Sequence, residues 1–368
     1  MAAWLCACAS PERTASEADA GRVPAAASAT PPLATTAVPA SPGGSAEAPD
    51  RSGAGTPPLD PSAPCRGKST GAHACVGDRL VACRDGGAHD DVKTCLDIER
   101  CDADKGSCEP ACPDGSVYIP PTDERGFVMG RGMSSFGFGS RASGNKGAGE
   151  ADAPHRVVLT RPFCIDATEV TVAAYIECVD KLGCAPPSTL DVWATYPKKL
   201  DYPVNMVSWT KARAFCDKTG KSLPTEAQWE WAASGGDGRK WPWGNETPTC
   251  ERADFTGGSL PSPGGDAGCH GGGPSPVKAH PSGAKTWPTG LVHDLAGNVW
   301  EWCLDNYEPY PYGTVRDPRA LRGEGGNHVV RGGGWNRSHR GIETSFRGAA
   351  IVTYQVPGLG FRCVRNPR

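Results

Sequence analysis

The chain reads as an α+β protein with little regular secondary structure, preceded by a small disulfide-rich module. Three observations point there. Gly 48 and Pro 35 are both high for 368 residues, so much of the chain is turn and loop. Ten of the 11 Trp lie beyond residue 113, which places one large hydrophobic core in the last 250 or so residues. Within that region short alternating segments are interleaved with three capped helical segments.

The N-terminal end reads Leu5-Cys6-Ala7-Cys8, like the end of a bacterial lipobox with Cys8 as lipid acceptor. Residues 1–8 are too short and lack the basic start of an export signal, so they are expected to be the remnant of a signal truncated by a misassigned start. Residues 9–64 are rich in Ala, Pro, Ser and Thr and contain no aromatic residue. They cannot bury enough apolar surface to offset chain entropy and are expected to be a disordered linker, its ends on the order of 40 Å apart.

Residues 65–112 hold Cys65, Cys75, Cys83, Cys95, Cys101, Cys108 and Cys112 and no Phe, Tyr or Trp. So small a segment has too little core to fold without staples. Val76 to Cys83 reads as a short hairpin. The chain has 17 cysteines, no CxxC and no closely spaced His pair, which favours disulfides over zinc and an oxidising, exported location.

Residues 113–368 form the large domain. Gly115–Pro120, Gly126–Gly130 and His155–Thr160 read as short strands, and Phe163 to Val170 leads to Thr171 as a helix N-cap. Val172, Tyr175, Ile176 and Val179 then recur at helical spacing. Ser208 caps a second helix whose buried face is Trp209, Ala212, Phe215 and Cys216, and Gly220 stops it. Thr225 and Gln228 have capping-box spacing at the start of a third, which Gly235-Gly236 ends. Beyond it the chain reads mostly as turns, with short segments around Trp300 and Phe361.

The charge balance is near neutral, 38 Lys+Arg against 41 Asp+Glu, with no long basic run, so no nucleic-acid partner is expected. No apolar stretch of about 18 residues is present, so no spanning helix is expected either. A membrane contact would come through the lipid on Cys8. Gly-x-Ser-x-Gly, P-loop and HExxH motifs are absent.

Seven sequence blocks recur in the order of a known family. They are Ile165-Asp166-Ala167-Thr168-Glu169-Val170-Thr171, Pro203 to Trp209, Gly220 to Ala233, Trp241-Pro242-Trp243-Gly244, Leu295 to Trp302, Val330 to Ile342, and Gly360-Phe361-Arg362-Cys363. Together they resemble the formylglycine-generating enzymes (sulfatase-modifying factors). The resemblance implies that family's fold, which is related to C-type lectins. It covers roughly the last 250 residues and nothing of the N-terminal third.

Active members of the family oxidise a cysteine in a Cys-x-Pro-x-Arg peptide, using O₂ and copper held by two cysteine thiolates. The matching positions here are Arg337 and Ile342. The family's Ser before the Trp is Gly334, and its His after the first cysteine is Ser338. Arginine and isoleucine cannot hold Cu(I), which needs soft thiolates, so copper is not expected. The chain is therefore expected to act as a binding or structural module. Its remade groove, Trp335, Arg337 and Arg347, would take a peptide or glycan, with Arg337 favouring an acidic one. The alternative is a divergent oxidase or another metal-dependent oxidoreductase on the same fold. His339 and Glu343 are two ligands on a loop, a weak signal for metal.

The resemblance also implies structural Ca²⁺, in one site of Asp294, Gly297, Val299 and Glu301 and a second of Asp254, Phe255 and Asp266. Hard oxygen donors of mixed carbonyl and carboxylate type suit that ion. The family bridges the positions of Cys216 and Cys363. By spacing, Cys178 is expected to pair with Cys184 and Cys250 with Cys269. Cys164 and Cys303 are then left for each other or for Cys112.

Overall fold

The computed structural model describes residues 65, 68–76, 79–84, 89–95, 99–130, 136–137, 153–256, 269, 272–367, all within one compact unit, Leu59–Arg368. The Cys8 assignment and the 9–64 linker lie outside the described residues, as does Asp266.

Three helices form where their caps stand. Helix α1, Val172–Leu182, starts at Thr171, whose side chain accepts from the Ala174 N–H, and ends on left-handed Gly183. Helix α2, Trp209–Lys218, starts at Ser208. Its end lies at Thr219, one residue before the glycine expected to stop it. Helix α3, Glu226–Ser234, has both halves of the Thr225/Gln228 capping box and ends on left-handed Gly235.

The largest sheet has five strands, in the order Leu359–Gly360, Trp300–Asn306, Asn327–Arg331, Gly348–Ile351 and Phe136–Gly137. This differs from the expectation of mostly turns after α3. Six of seven residues of Trp300–Asn306 are buried, so that strand carries no inside–outside alternation to read. Two three-stranded sheets of the same domain centre on Phe163–Asp166 and His155–Val158. One core cluster joins α1 and α2 to the large sheet through Tyr175, Trp209, Phe215, Trp300, Trp302 and Phe361. A second packs Trp229 and Ala232 of α3 against Phe127, Val157, Ile165 and Val329.

In the Cys-rich segment His73–Val76 pairs antiparallel with Arg79–Cys83, and Arg79–Cys83 with His89–Thr94. The Val76–Cys83 hairpin therefore begins three residues earlier than its sequence suggests. Cys65–Cys83, Cys75–Cys101 and Cys95–Cys108 staple this segment, and Cys112–Cys164 ties it to the Phe163–Asp166 strand. In the large domain Cys178 bonds Cys184, Cys216 bonds Cys363 and Cys250 bonds Cys269. Cys303 is the free, buried cysteine among the described residues.

Cys216–Cys363 closes a 147-residue separation and joins α2 to the residue just before the Val364–Arg365 strand. Replacing both cysteines by Ala is expected to lower unfolding free energy by up to about 5 kcal/mol, the chain-entropy value for so long a loop. Chemical denaturation of the double variant checks this. A loss no larger than for Cys178→Ala/Cys184→Ala, which opens a far shorter loop, would contradict it.

Candidate functional site

Two buried ion-pair networks position the site. Glu226 and Glu230 stand four residues apart on α3 and so project from the same face. Glu226 takes Arg347 in a two-pronged pair (2.7 and 2.9 Å) and also accepts from the Tyr310 hydroxyl. Glu230 pairs with Arg331 and accepts from the Gly130 N–H. Arg331 also donates to the carbonyls of Thr344 and Phe346, so it pins the far side of the loop that follows its strand. Burial alone would raise both carboxyls. Arg347 and Arg331 carry Glu226 below its ordinary value, whereas Glu230 remains above it.

The second network is Glu301 with Arg362. Both oxygens of the carboxylate receive the guanidinium at 2.7 Å, and the Trp229 indole N–H adds a bond of 2.8 Å. Arg362 also donates to the carbonyls of Asp166 and His293.

The segment after Arg331 turns sharply because Gly332 and Gly333 take positive φ, 86° and 73°. A Cβ on Gly333 would lie 2.4 Å from the Gly341 carbonyl oxygen, so only glycine lets the loop close on itself. Gly334 sits against Trp300 and the Gly358 carbonyl, 3.2 Å from where a Cβ would stand. The loop is pinned by Trp335 N–H to Asn298 (2.8 Å) and by Thr256 N–H to the Arg337 carbonyl (2.8 Å).

The four replaced positions now have separate fates. Ile342 is fully buried with Trp241, Ala253, Phe255 and Ala296 and serves as core. The Arg337 guanidinium lies over the Trp300 ring, 5.8 Å from its centre. Burial pulls its pKa down, against the influence of Tyr354. Gly334 is backbone packing, and Ser338 is half-buried in the turn that closes at Gly341. Trp335 meets Trp193 at 5.7 Å. The Trp335 indole nitrogen and the Asn336 side-chain oxygen are buried without a hydrogen-bond partner. Trp193 is a groove residue missed in the sequence, because it lies in the loop after Cys184, remote from every signature block; it rests on Gly272 and Gly273.

Arg347 does not join this groove as a free cation. It is buried, paired with Glu226 and covered by the Tyr310 ring at 4.0 Å. An arginine withdrawn from water holds its nearest carboxylate, and that carboxylate is on α3.

The predicted calcium residues also divide. Both oxygens of Glu301 are engaged, by Arg362 and by the Trp229 indole. Gly297 N–H bonds the Gly332 carbonyl, while the buried Val299 packs on Gly360. Asp254 accepts from Ser275, and the Phe255 carbonyl accepts from the Cys269 N–H. The Asp254 carbonyl accepts from Asn298 N–H, so the two supposed sites share one loop junction. Asp294 is buried and accepts from Lys278 N–H. It faces Glu169, which the sequence had shown only as part of a strand-like block. Burial comes first in pushing Asp294 up to about 6, with Glu301 adding to it; burial and then Asp294 push Glu169 up. One oxygen of Glu169 takes the Asn298 amide at 3.0 Å, and the other, Oε2, is buried without a hydrogen-bond partner.

His328 is held in the core. His328 stacks on Trp209 at 3.9 Å and meets Asn306 and the Leu304 carbonyl. Among the described residues the one grouping of three metal-type ligands is Cys95, Glu99 and Cys108, and a disulfide takes both sulfurs.

Residues 121–367 match the family model of the sulfatase-modifying factor enzyme 1-like domain. The inactive C-alpha-formylglycine-generating enzyme 2 of Bos taurus is 39% identical over 170 residues, 45% of this chain and 51% of that protein. The chain thus spans about half of that relative's length. The formylglycine-generating enzyme of Streptomyces coelicolor is 31% identical over 310 residues, 71% of this chain and 92% of that protein. The hercynine oxygenase of Mycobacterium tuberculosis is 33% identical over 154 residues, 40% of this chain and 33% of that protein.

With its pKa raised to about 6, Asp294 holds a proton more tightly folded than unfolded, so its contribution is full below the unfolded pKa and is lost as pH rises through 6. Between pH 4 and pH 7 the native chain is expected to lose up to about 3 kcal/mol more than Asp294→Asn. Urea unfolding at the two pH values checks this, and parallel losses in both proteins would contradict it.

Proposed function

Because the chain belongs to the sulfatase-modifying factor enzyme 1-like family, we propose that it is a binding module on that scaffold and carries out no formylglycine chemistry. The observation that carries this is Ile342, which occupies one thiolate position and is wholly buried among apolar side chains. The other position is a guanidinium. Neither group fits Cu(I). The free thiol of Cys303 offers no replacement, since burial, and then Glu226, push its pKa well up and keep it protonated.

The ligand groove is the surface at Trp193, Trp335 and Arg337. The unfilled Trp335 N–H and Asn336 oxygen supply a donor and an acceptor, and Arg337 supplies positive charge. Leu190 and Val192, 93% and 89% exposed, flank Trp193 in the chain and add apolar surface. An acidic peptide or acidic glycan with an apolar portion suits this set. Seven disulfides among the described residues support export into an oxidising compartment, with anchoring through Cys8 as the accompanying proposal.

The hercynine oxygenase likeness supports a second reading, a divergent metal-dependent oxidoreductase. The two are separated by metal analysis of the purified chain together with a turnover assay on a Cys-x-Pro-x-Arg peptide and arrays of acidic peptides and acidic glycans. The binding module is expected to show no stoichiometric copper or iron, no turnover, and array binding that Arg337→Ala removes. Turnover, or array binding indifferent to Arg337→Ala, would reject it.

Structural Ca²⁺ belongs to the same proposal, with a changed ligand set. Asp294 and Glu169 would hold it, because the orphaned Glu169 oxygen is a buried hard donor and Glu301 is filled. At a hundredfold excess over Kd, Ca²⁺ is expected to stabilise the fold by about 2.7 kcal/mol, and EDTA to remove that gain. Glu169→Gln should abolish the Ca²⁺-dependent increment in thermal melts. An increment that survives this substitution would exclude Glu169 as a ligand.

A further inference from the structure

Away from every residue of the groove, two cavities of about 330 and 400 Å³ adjoin one another at the start of α3. Their linings share Thr225, Gln228, Arg319 and Asn366. Arg161 lines the first and Arg365 the second. Among the described residues none of these three arginines has a side-chain hydrogen bond or an ion pair. The Arg365 Nε is moreover buried, so its N–H has exchanged water for nothing.

The surroundings offset this charge only in part. Asp317 is the one acid in either lining, and it already accepts from the N–H and hydroxyl of Thr160. Lys221 lines the second cavity but is committed to Asp166 at 2.6 Å. Arg161, Arg319 and Arg365 therefore outnumber Asp317, the one acid in the two adjoining linings, in a chain whose net charge is −3. The helix end itself is not the attraction. Its N–H groups at Glu226 and Gln228 are taken by Asp305 and Thr225. The Gln228 oxygen accepts from Thr225 N–H, which leaves the Gln228 amide N–H₂ as a further donor.

A lining in which planar forked donors outnumber the acidic groups favours a tetrahedral oxyanion, which each guanidinium meets through paired N–H groups. Neither lining contains an aromatic ring on which a base would stack, which disfavours nucleic acid. We propose that the two cavities form one site for a ligand carrying two phosphate or sulfate ester groups, with Arg319 shared between them. This site is separate from the groove proposal and stands if that reading fails.

The test is calorimetric titration of the full chain at low salt with three probes: orthophosphate, inorganic pyrophosphate and a disulfated disaccharide. Saturable binding of pyrophosphate or of the disaccharide, tighter than orthophosphate, is expected. The probe that binds identifies the source, free phosphate or a sulfated sugar. Arg319→Ala should weaken it by about tenfold or more, the loss of one charge-assisted contact. Arg319 is exposed and unpaired, so the variant should melt with the native protein. Arg125→Ala, an exposed arginine paired with Asp123 and absent from both linings, should bind as the native chain does. Failure of both two-group probes to saturate, or unchanged affinity in Arg319→Ala, overturns the proposal.

Discussion

The buried pair of Glu301 and Arg362 is the constraint on which the rest of the fold depends. Both side chains are fully withdrawn from solvent. A carboxylate and a guanidinium removed from water cost several kcal/mol each, and only a complete set of partners offsets that cost. The set draws on five places: Trp229 on α3, Glu301 in the Trp300–Asn306 strand, the carbonyl of Asp166, the carbonyl of His293, and Arg362 in the chain's last block. Segments nearly 200 residues apart must therefore be in register before the pair is tolerable. In a domain so rich in loops, this does the joining that regular elements do elsewhere. The Cys216–Cys363 bridge, adjacent to Arg362 in the chain, holds the same join covalently.

The second network, Glu226 and Glu230 with Arg347 and Arg331, anchors both ends of the remade loop. Arg331 precedes it and Arg347 follows it, and both arginines end on α3. The loop is thus free to change its chemistry without loss of position. Ile342 shows how such a change is accommodated. An apolar side chain at a buried position adds contacts with Trp241 and Phe255, worth about 1.5–3 kcal/mol for full burial of a residue of this size. Arg337 is held differently, with its guanidinium over the face of Trp300.

Much was legible along the chain because its cause is local. Thr171, Ser208 and the Thr225/Gln228 box mark helix starts through hydrogen bonds spanning three residues. Gly332 and Gly333 mark a turn because no other residue takes that backbone comfortably. Less was legible in the last third. Trp300–Asn306 is buried on both faces, so the alternation that identifies a strand is missing, and the five-stranded sheet went unread. In the candidate site the replaced positions Arg337 and Ile342 were visible by name. Trp193, Glu169 and the arginines lining the two cavities were not, since each gains its meaning from a neighbour distant in sequence.

The sequence by itself determined the family scaffold, the capped helices, the cysteine-rich character and the presence of arginine and isoleucine at positions 337 and 342. These follow from residue identity and short spacing, which chain order preserves. Only the tertiary structure decided that Glu301 pairs with Arg362, that Arg347 is internal, that Cys303 stands free among the described residues, and that Asp294 faces Glu169. The physical reason is that a charged or polar side chain takes its role from what replaces its water. That replacement is set by which segments the fold brings together.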